Sequence, residues 1–316
     1  MSASDAWAAL KASTEVDYAM LHAAQPKPVP LGVPPLDSEL GGGIPVGTFT
    51  VLAGEGGAGK SAMAVNAMYH AALAERHPVF YSLEMPAHMV ISRLLSVHTT
   101  RIRSIQLGRG TTGDQLMRQV YWSTTRNVVE RIAGRDIEDD VDAARYVSDN
   151  LTRDPVLVAW DHFERYMWPR MAVIEDVPNV DWICDSVRSL VSEGVRPMPI
   201  IDYVQLGATG DGTEYELVTR ASHALQQLAK ECRIPMLVLS SLRNINRSER
   251  DDAPTLGMLR GSGHLGYDAG TVIVLKRAGE RDGSEQPVTA YVIKNRVGPS
   301  GIEVPLTFNG GMNQFK

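Results

Sequence analysis

Cysteine is scarce in this chain. Cys184 and Cys232 are the only two in 316 residues. They cannot make a disulfide framework or a cysteine metal cluster, and they read as two free thiols in a reducing, cytoplasmic setting. Long apolar runs are missing as well. No stretch approaches the roughly 18 residues a membrane-spanning helix needs. The first residues, MSASDAWAALKAS, lack the basic segment and apolar core of a secretory signal. Positive charge is not in excess either. The formal net charge is −6, which argues against a nucleic-acid binder with broad basic surfaces but leaves room for a local basic strip. What remains is a chain with 44% hydrophobic and 22% charged residues, long enough to bury a sizeable core.

Residues 4–24 have helical character, with Trp7, Leu10, Val16, Met20 and Leu21 among polar neighbours. QPKPVPLGVPP (25–35) carries five prolines, which stop a helix and favour an extended connector. The chain is therefore expected to divide into 1–30, a helical appendage with its linker, and 31–316, the main domain. From residue 36 on, apolar strands alternate with helices. Strands are expected at 49–54, 78–84, 197–206, 234–242, 269–277, 288–296 and 301–309, and helices at 61–76, 85–99 and 215–233. Such apolar strands separated by helices imply a mostly parallel α/β sheet covered on both faces. The closing strands, with no long helix between them, imply an antiparallel edge. The stretch 100–196 is expected to be an enlarged helical insertion. Its acidic run (Asp136, Glu138, Asp139, Asp140, Asp142) reads as a solvated face, and Trp160, Phe163, Tyr166 and Trp168 as its core.

GEGGAGKS (Gly54, Glu55, Gly56, Gly57, Ala58, Gly59, Lys60, Ser61) carries the chemistry. It lies between an apolar strand and a helix, the setting of a phosphate-binding P-loop. Glycines let backbone N–H groups converge on phosphate oxygens, and the helix N-terminus adds its positive dipole end. Lys60 can reach the β and γ phosphates, the Ser61 hydroxyl can ligate Mg²⁺, and Ala62 continues the nucleotide-binding run. Asp202, at the end of the apolar run IIDYVQ, occupies the place of a second, metal-side carboxylate. Glu84, at the end of VFYSLE, lies at the same sheet edge, where a carboxylate can act as general base. These residues point to a nucleoside-triphosphatase that uses Mg²⁺.

Several motifs coincide in order. FYSLEMPAHMVISRLLS, IIDYVQL, LVTRASHALQQLAKECRIPMLVLSSL, LRGSGHLGYDAGTVIVLKR and VIKNRVGPSG together resemble the RecA-like ATPase domain of DnaB-type hexameric replicative helicases. GVPPLDSELGGGIPVGTFTVLAG is similar to the wider RecA and KaiC group. The resemblance covers about 31–99 and 195–315. It implies a RecA-like P-loop core that takes ATP as its nucleotide, with Glu84 as general base and Asp202 as metal-side carboxylate. It puts Gln205 where nucleotide and DNA binding are coupled. It makes Lys294 and Arg296 a catalytic finger pair reaching the γ-phosphate held by a neighbouring subunit. The implied partners are single-stranded DNA, other copies in a hexamer, and a primase or loader. Ser241 departs from the family, which carries Gln or His there.

DNA contact is expected in 207–214 and 243–254. The second loop carries Arg243, Arg247 and Arg250, but Glu249, Asp251 and Asp252 bring its net charge to zero. Two readings stay open: a ring helicase, and a KaiC- or RadA-like ATPase that does not unwind.

Overall fold

A computed structural model describes residues 26–102, 155–243, 253–261, 263–283 and 285–316. The expected N-terminal helix and the acidic run lie outside these residues. In chain order the elements are α1 (Pro34–Glu39), β1 (Thr48–Gly54), α2 (Lys60–Leu73), β2 (His77–Ser82), α3 (Ala87–Ile102), α4 (Pro155–Tyr166), β3 (Ala172–Ile174), α5 (Val180–Ser192), β4 (Pro197–Asp202), α6 (Glu214–Cys232), β5 (Pro235–Ser241), α7 (Gly263–Asp268), β6 (Thr271–Arg277), β7 (Glu285–Asn295), β8 (Ile302–Asn309) and β9 (Gln314–Phe315). A single helical turn, Val204–Gly207, lies between β4 and α6.

The strands form one sheet in the order β3-β2-β4-β5-β1-β6-β7-β8-β9. The first six are parallel, and β7, β8 and β9 are antiparallel. Side chains alternate across the sheet. Leu52, Phe80, Ile200, Leu239 and Ile273 face the layer that holds α2 and α3. Val51, Tyr81, Ile201, Val238 and Val272 face the layer of α5, α6 and α7. A strand with both faces buried has no polar position to alternate with, so its sequence is a continuous apolar run. The outermost strands are very short: β3 has three residues, and β9 has two and pairs with only Phe308 and Asn309 of β8.

The stretch expected as an insertion is in part core. β3 extends the sheet by pairing in parallel with β2. α5, capped by the Asn179 side chain accepting from the Trp182 N–H, buries Val180, Ile183, Cys184 and Val187 against the α6 face. The aromatics divide. Phe163 is buried and Trp168 packs on the core, whereas Trp160 and Tyr166 are exposed.

The proline-rich stretch is also less of a free connector than its composition suggests. Val29 pairs with Ile44, and Val29, Leu31 and Val33 are buried. The Asp37 carboxylate accepts from the backbone N–H groups of Leu31 (2.7 Å), Gly32 (3.0 Å) and Val33 (3.0 Å). Prolines remove N–H groups that ladder pairing would need, and Asp37 satisfies these three of those that remain.

Candidate nucleotide-binding site

Every parallel strand delivers its C-terminal end to one edge of the sheet, where loops converge. Gly54 ends β1, Ser82 ends β2, Asp202 ends β4, Ser241 ends β5 and Arg277 ends β6. The loop from Gly54 to Gly59 turns directly into α2. Gly59 has φ +94°, and a Cβ there would come within 2.7 Å of the Phe315 ring. Only glycine admits both the backbone and the neighbour at this position.

Two clefts flank the loop. One, about 600 Å³, is lined by Gly54, Glu55, Gly56 and Lys60 together with Glu84, Tyr203, Ser241, Arg243, Arg260 and Arg277. The other, about 700 Å³, takes Lys60, Ser61, Ala62 and Glu84 on one side and Arg93, Arg281, Phe308 and Asn313 on the other. Lys60 and Glu84 belong to both.

Lys60 Nζ donates to the carbonyl oxygens of Gly54 (2.9 Å) and Glu55 (3.1 Å). Burial lowers its pKa, while the nearby carboxylates of Asp202, Glu84 and Glu55 act in the opposite sense. The Ser61 hydroxyl donates to Asp202 Oδ2 at 2.9 Å. Asp202 is 1% exposed, and burial pushes its pKa up to about 6 against the Ser61 hydrogen bond. A carboxylate that is costly to keep charged in a dry place is stabilised by a cation, and hydroxyl plus carboxylate oxygens suit Mg²⁺. The donor set at this edge therefore fits a phosphate chain with a hard divalent cation. Ser241 Oγ adds a buried polar atom that lacks a hydrogen-bond partner among the described residues.

Glu84 differs slightly from its expected place. β2 stops at Ser82, and Glu84 sits two residues on, exposed, in the turn before α3. Ser82 Oγ donates to the Met85 carbonyl, and Glu175 accepts from the Ala87 N–H at 2.6 Å, so both sides of that turn are tied. Gln205 Nε2 donates to Ser240 Oγ (2.8 Å) and to the Arg260 carbonyl (2.8 Å), joining the strand ends of β4 and β5.

Lys294 and Arg296 are not brought to this edge. Lys294 lies opposite Val272, which lies opposite Val51, and the Arg296 N–H donates to the Gly270 carbonyl. At about 3.3 Å per residue, Arg296 is roughly 16 Å down the sheet from Gly54. A bulge in the β6–β7 pairing leaves Ile293 without a partner on β6. One extra residue inverts the alternation beyond it, which turns Lys294 onto the α7 face. Lys294 Nζ donates to the carbonyls of Gly266 (2.9 Å) and Tyr267 (2.6 Å), and Arg296 Nη2 donates to that of Tyr267 (2.9 Å).

Of the loop arginines, Arg243 is exposed, lines the first cleft and donates Nε–H to the Gly257 carbonyl. Arg247 and Arg250 lie outside the described residues. Four further cleft arginines, Arg93, Arg260, Arg277 and Arg281, are absent from the set expected from sequence. Two carried a local sign. Arg260 sits in LRGSG, and Arg277 is the charge that ends an apolar strand at the phosphate edge.

A family model described as the DnaB-like helicase C-terminal domain matches residues 29–316. The chain is 30% identical over 293 residues to the replicative DNA helicase DnaB of Leifsonia xyli, covering 91% of this chain and 55% of that protein. It is 27% identical over 284 residues to the replicative DNA helicase DnaB of Haemophilus influenzae, covering 86% and 52%. The chain thus spans about half the length of these relatives. Among solved structures, one described as an ATPase domain superposes with a TM-score of 0.70 at 21% identity, covering 97% of each chain. A DnaB-like replicative helicase described with its primase interactions gives 0.66 at 21%, covering 96% of this chain and 65% of that one. At these identities the superpositions establish the RecA-like fold.

Proposed function

On the premise that this chain belongs to the DnaB-like helicase C-terminal domain family, we propose that it is an ATP-driven ring motor that moves along single-stranded DNA and unwinds duplex during replication. The carrying observation is a division of labour across the sheet. The groups suited to bind and activate a nucleotide gather at one end, and the cationic pair Lys294 and Arg296 is held at the other. A protomer cannot bring that pair to its own P-loop. A second copy can, and repetition of that contact closes a ring, a hexamer by family resemblance.

In this reading the loop N–H groups and Lys60 hold the phosphates of ATP, and Ser61 and Asp202 hold Mg²⁺. The metal supplies charge neutralisation on the phosphate oxygens. Glu84 accepts the proton of the attacking water. Lys294 and Arg296 of the adjacent copy stabilise charge that develops on the phosphoryl oxygens, so hydrolysis waits for correct alignment of two subunits. Gln205 and Arg260 tie the phosphate edge to the loops that would meet DNA, with Arg243, Arg247 and Arg250 as their cations. The appendage outside the motor is the stretch before Val29, which itself pairs with Ile44, and a primase or loader is the expected protein partner.

The test is strand displacement on a forked duplex with ATP and Mg²⁺, run beside hydrolysis with and without single-stranded DNA. Unwinding with DNA-stimulated hydrolysis supports the proposal. Hydrolysis indifferent to DNA, with no unwinding, overturns it in favour of the KaiC- or RadA-like alternative. That alternative draws on Ser241, whose short side chain stands where the family has Gln or His.

A further inference from the structure

α6 touches both ends of the division just described. At its N-terminus Glu214 accepts from Arg260 Nε (2.9 Å), and Arg260 is doubly tied to the phosphate edge. Its N–H donates to the Ser241 carbonyl (3.0 Å), and its own carbonyl accepts from Gln205. The start of the helix is fixed by a reciprocal Thr213–Glu216 capping box. Two and three turns further on, α6 grips the end of α7. Ser222 Oγ donates to Asp268 Oδ2 (2.6 Å), Gln226 Nε2 donates to the Asp268 carbonyl (3.0 Å), and His223 Nε2 lies 3.4 Å from the same carboxylate. The residues just before Asp268 supply the carbonyls that hold Lys294 and Arg296.

We infer that Asp268 is a positioning residue for the finger pair. Clasped by Ser222 and Gln226, it fixes the end of α7 to whose carbonyls Lys294 and Arg296 donate, and α6 is the strut that registers this finger against the protomer's own nucleotide edge. Ser222 is fully buried and the Asp268 side chain is 14% exposed, so the clasp is shielded from competing water. Gly261 allows α6 to seat closely, and Gly266 lets α7 approach the turn that carries Leu256. A Cβ at Gly261 would come within 2.8 Å of Val218, and one at Gly266 within 3.0 Å of Leu256. The bulge at Ile293 completes the arrangement by turning Lys294 toward α7. Two rigid attachments on one helix then give each nucleotide edge a fixed relation to the finger that the same protomer offers to its neighbour.

The inference rests on the finger role proposed above. It is tested by steady-state hydrolysis of the assembled full chain for Asp268→Ala, Arg296→Ala and the double variant, with particle mass and melting followed in parallel. Asp268→Ala is expected to lower kcat about 10- to 100-fold, as misplacement of a reacting group does, with KM unchanged. The double variant should be no slower than Arg296→Ala alone. Asp268→Asn, which keeps an acceptor for Ser222, should restore most of the rate. If Asp268→Ala does not fold, Ser222→Ala, lacking one oxygen, replaces it in the same cycle, with a smaller loss in kcat expected. Additive losses, or a wild-type kcat for both clasp variants while Arg296→Ala is impaired, overturn the positioning role and leave the finger standing. A wild-type rate for Arg296→Ala overturns the finger reading and this inference with it.

Discussion

Ser61 and Asp202, 141 residues apart in the chain, meet through one hydrogen bond of 2.9 Å from hydroxyl to carboxylate. The first residue of the phosphate-binding helix to carry an oxygen ligand is thereby locked to the end of a strand two positions away in the sheet from β1. In the proposed reading the pair is a preformed half of a cation site, and it sets the first expectation. Asp202→Asn and Ser61→Ala should each raise the Mg²⁺ concentration that supports half-maximal hydrolysis by about 10- to 100-fold. Binding of a fluorescent nucleotide without metal should remain. Equal loss of both kinds of binding would mean that the pair shapes the loop rather than holding the ion.

Glu84 lines both clefts and is exposed, and its turn is tied at Ser82 and Ala87. Glu84→Gln preserves shape and removes only the basic oxygen. Hydrolysis is expected to fall by about 10²- to 10⁴-fold with nucleotide affinity at the wild-type level. Calorimetric binding beside single-turnover hydrolysis measures the two quantities separately. An unchanged rate sinks the general-base role.

In the proposed ring, separation of the finger from its own P-loop makes the active unit a pair of chains. Glu84→Gln and Arg296→Ala, each slow alone, should complement when mixed and reassembled. The first contributes sound fingers and the second sound nucleotide edges. Random mixing of equal amounts makes about a quarter of the sites competent, so the mixture should far exceed the sum of its parents. A rate equal to that sum would place the finger in the same protomer.

His98 supplies a pH dependence. It is buried, with Nδ1 2.8 Å from the Tyr69 hydroxyl and Nε2 3.0 Å from His162 Nδ1, and the Phe163 ring packs edge-on beside it. Burial, with the His162 charge in support, lowers its pKa from 6.5 to about 4. The unfolded chain then binds this proton more readily than the native one between those values. Stability contributed by neutral His98 is complete above about pH 6.5 and is lost as pH falls toward 4, by up to roughly 3 kcal/mol. Urea unfolding across that range should show a shallower pH slope for His98→Gln than for the wild type. Identical slopes would remove His98 as the source.

Asp37 anchors the proline-rich stretch through three backbone N–H groups. Asp37→Ala leaves those part-buried donors without their acceptor and should cost about 2 kcal/mol, read as a lower urea midpoint. A midpoint shift near zero would show that water replaces the carboxylate.

How far the sequence revealed this structure depended on whether the relevant signal was local. The P-loop is legible because phosphate binding needs its glycines, lysine and serine consecutively. Asp202 is legible because a carboxylate ending an apolar strand stands out. β3 escaped notice because three residues at an edge make too short a run, and α5 because the surrounding stretch read as an insertion. The buried role of 29–33 was hidden behind prolines, whose meaning changed once Asp37 satisfied the neighbouring amides. The finger pair was visible only through resemblance. Lys294 and Arg296 by themselves look like surface charges, and the bulge that aims Lys294 exists only in the pairing of β7 with β6. The cleft arginines come from α3, from β6 and from two separate loops, which no spacing rule joins.

The short strands at the two sheet edges bear on how copies can coexist at close quarters. An open strand edge is a template for another chain's backbone, and crowding many copies around one axis raises that hazard. Here β9 pairs with only Phe308 and Asn309 of β8, and the rest of that edge carries the exposed Glu303 and Pro305, a charge and a missing N–H that discourage another backbone from pairing there. In the proposed ring, an edge that resists pairing leaves copies to meet through side chains, contacts that can slip, part and re-form. A machine whose subunits must shift against one another without fusing into fibre is served by a sheet whose open edge resists pairing.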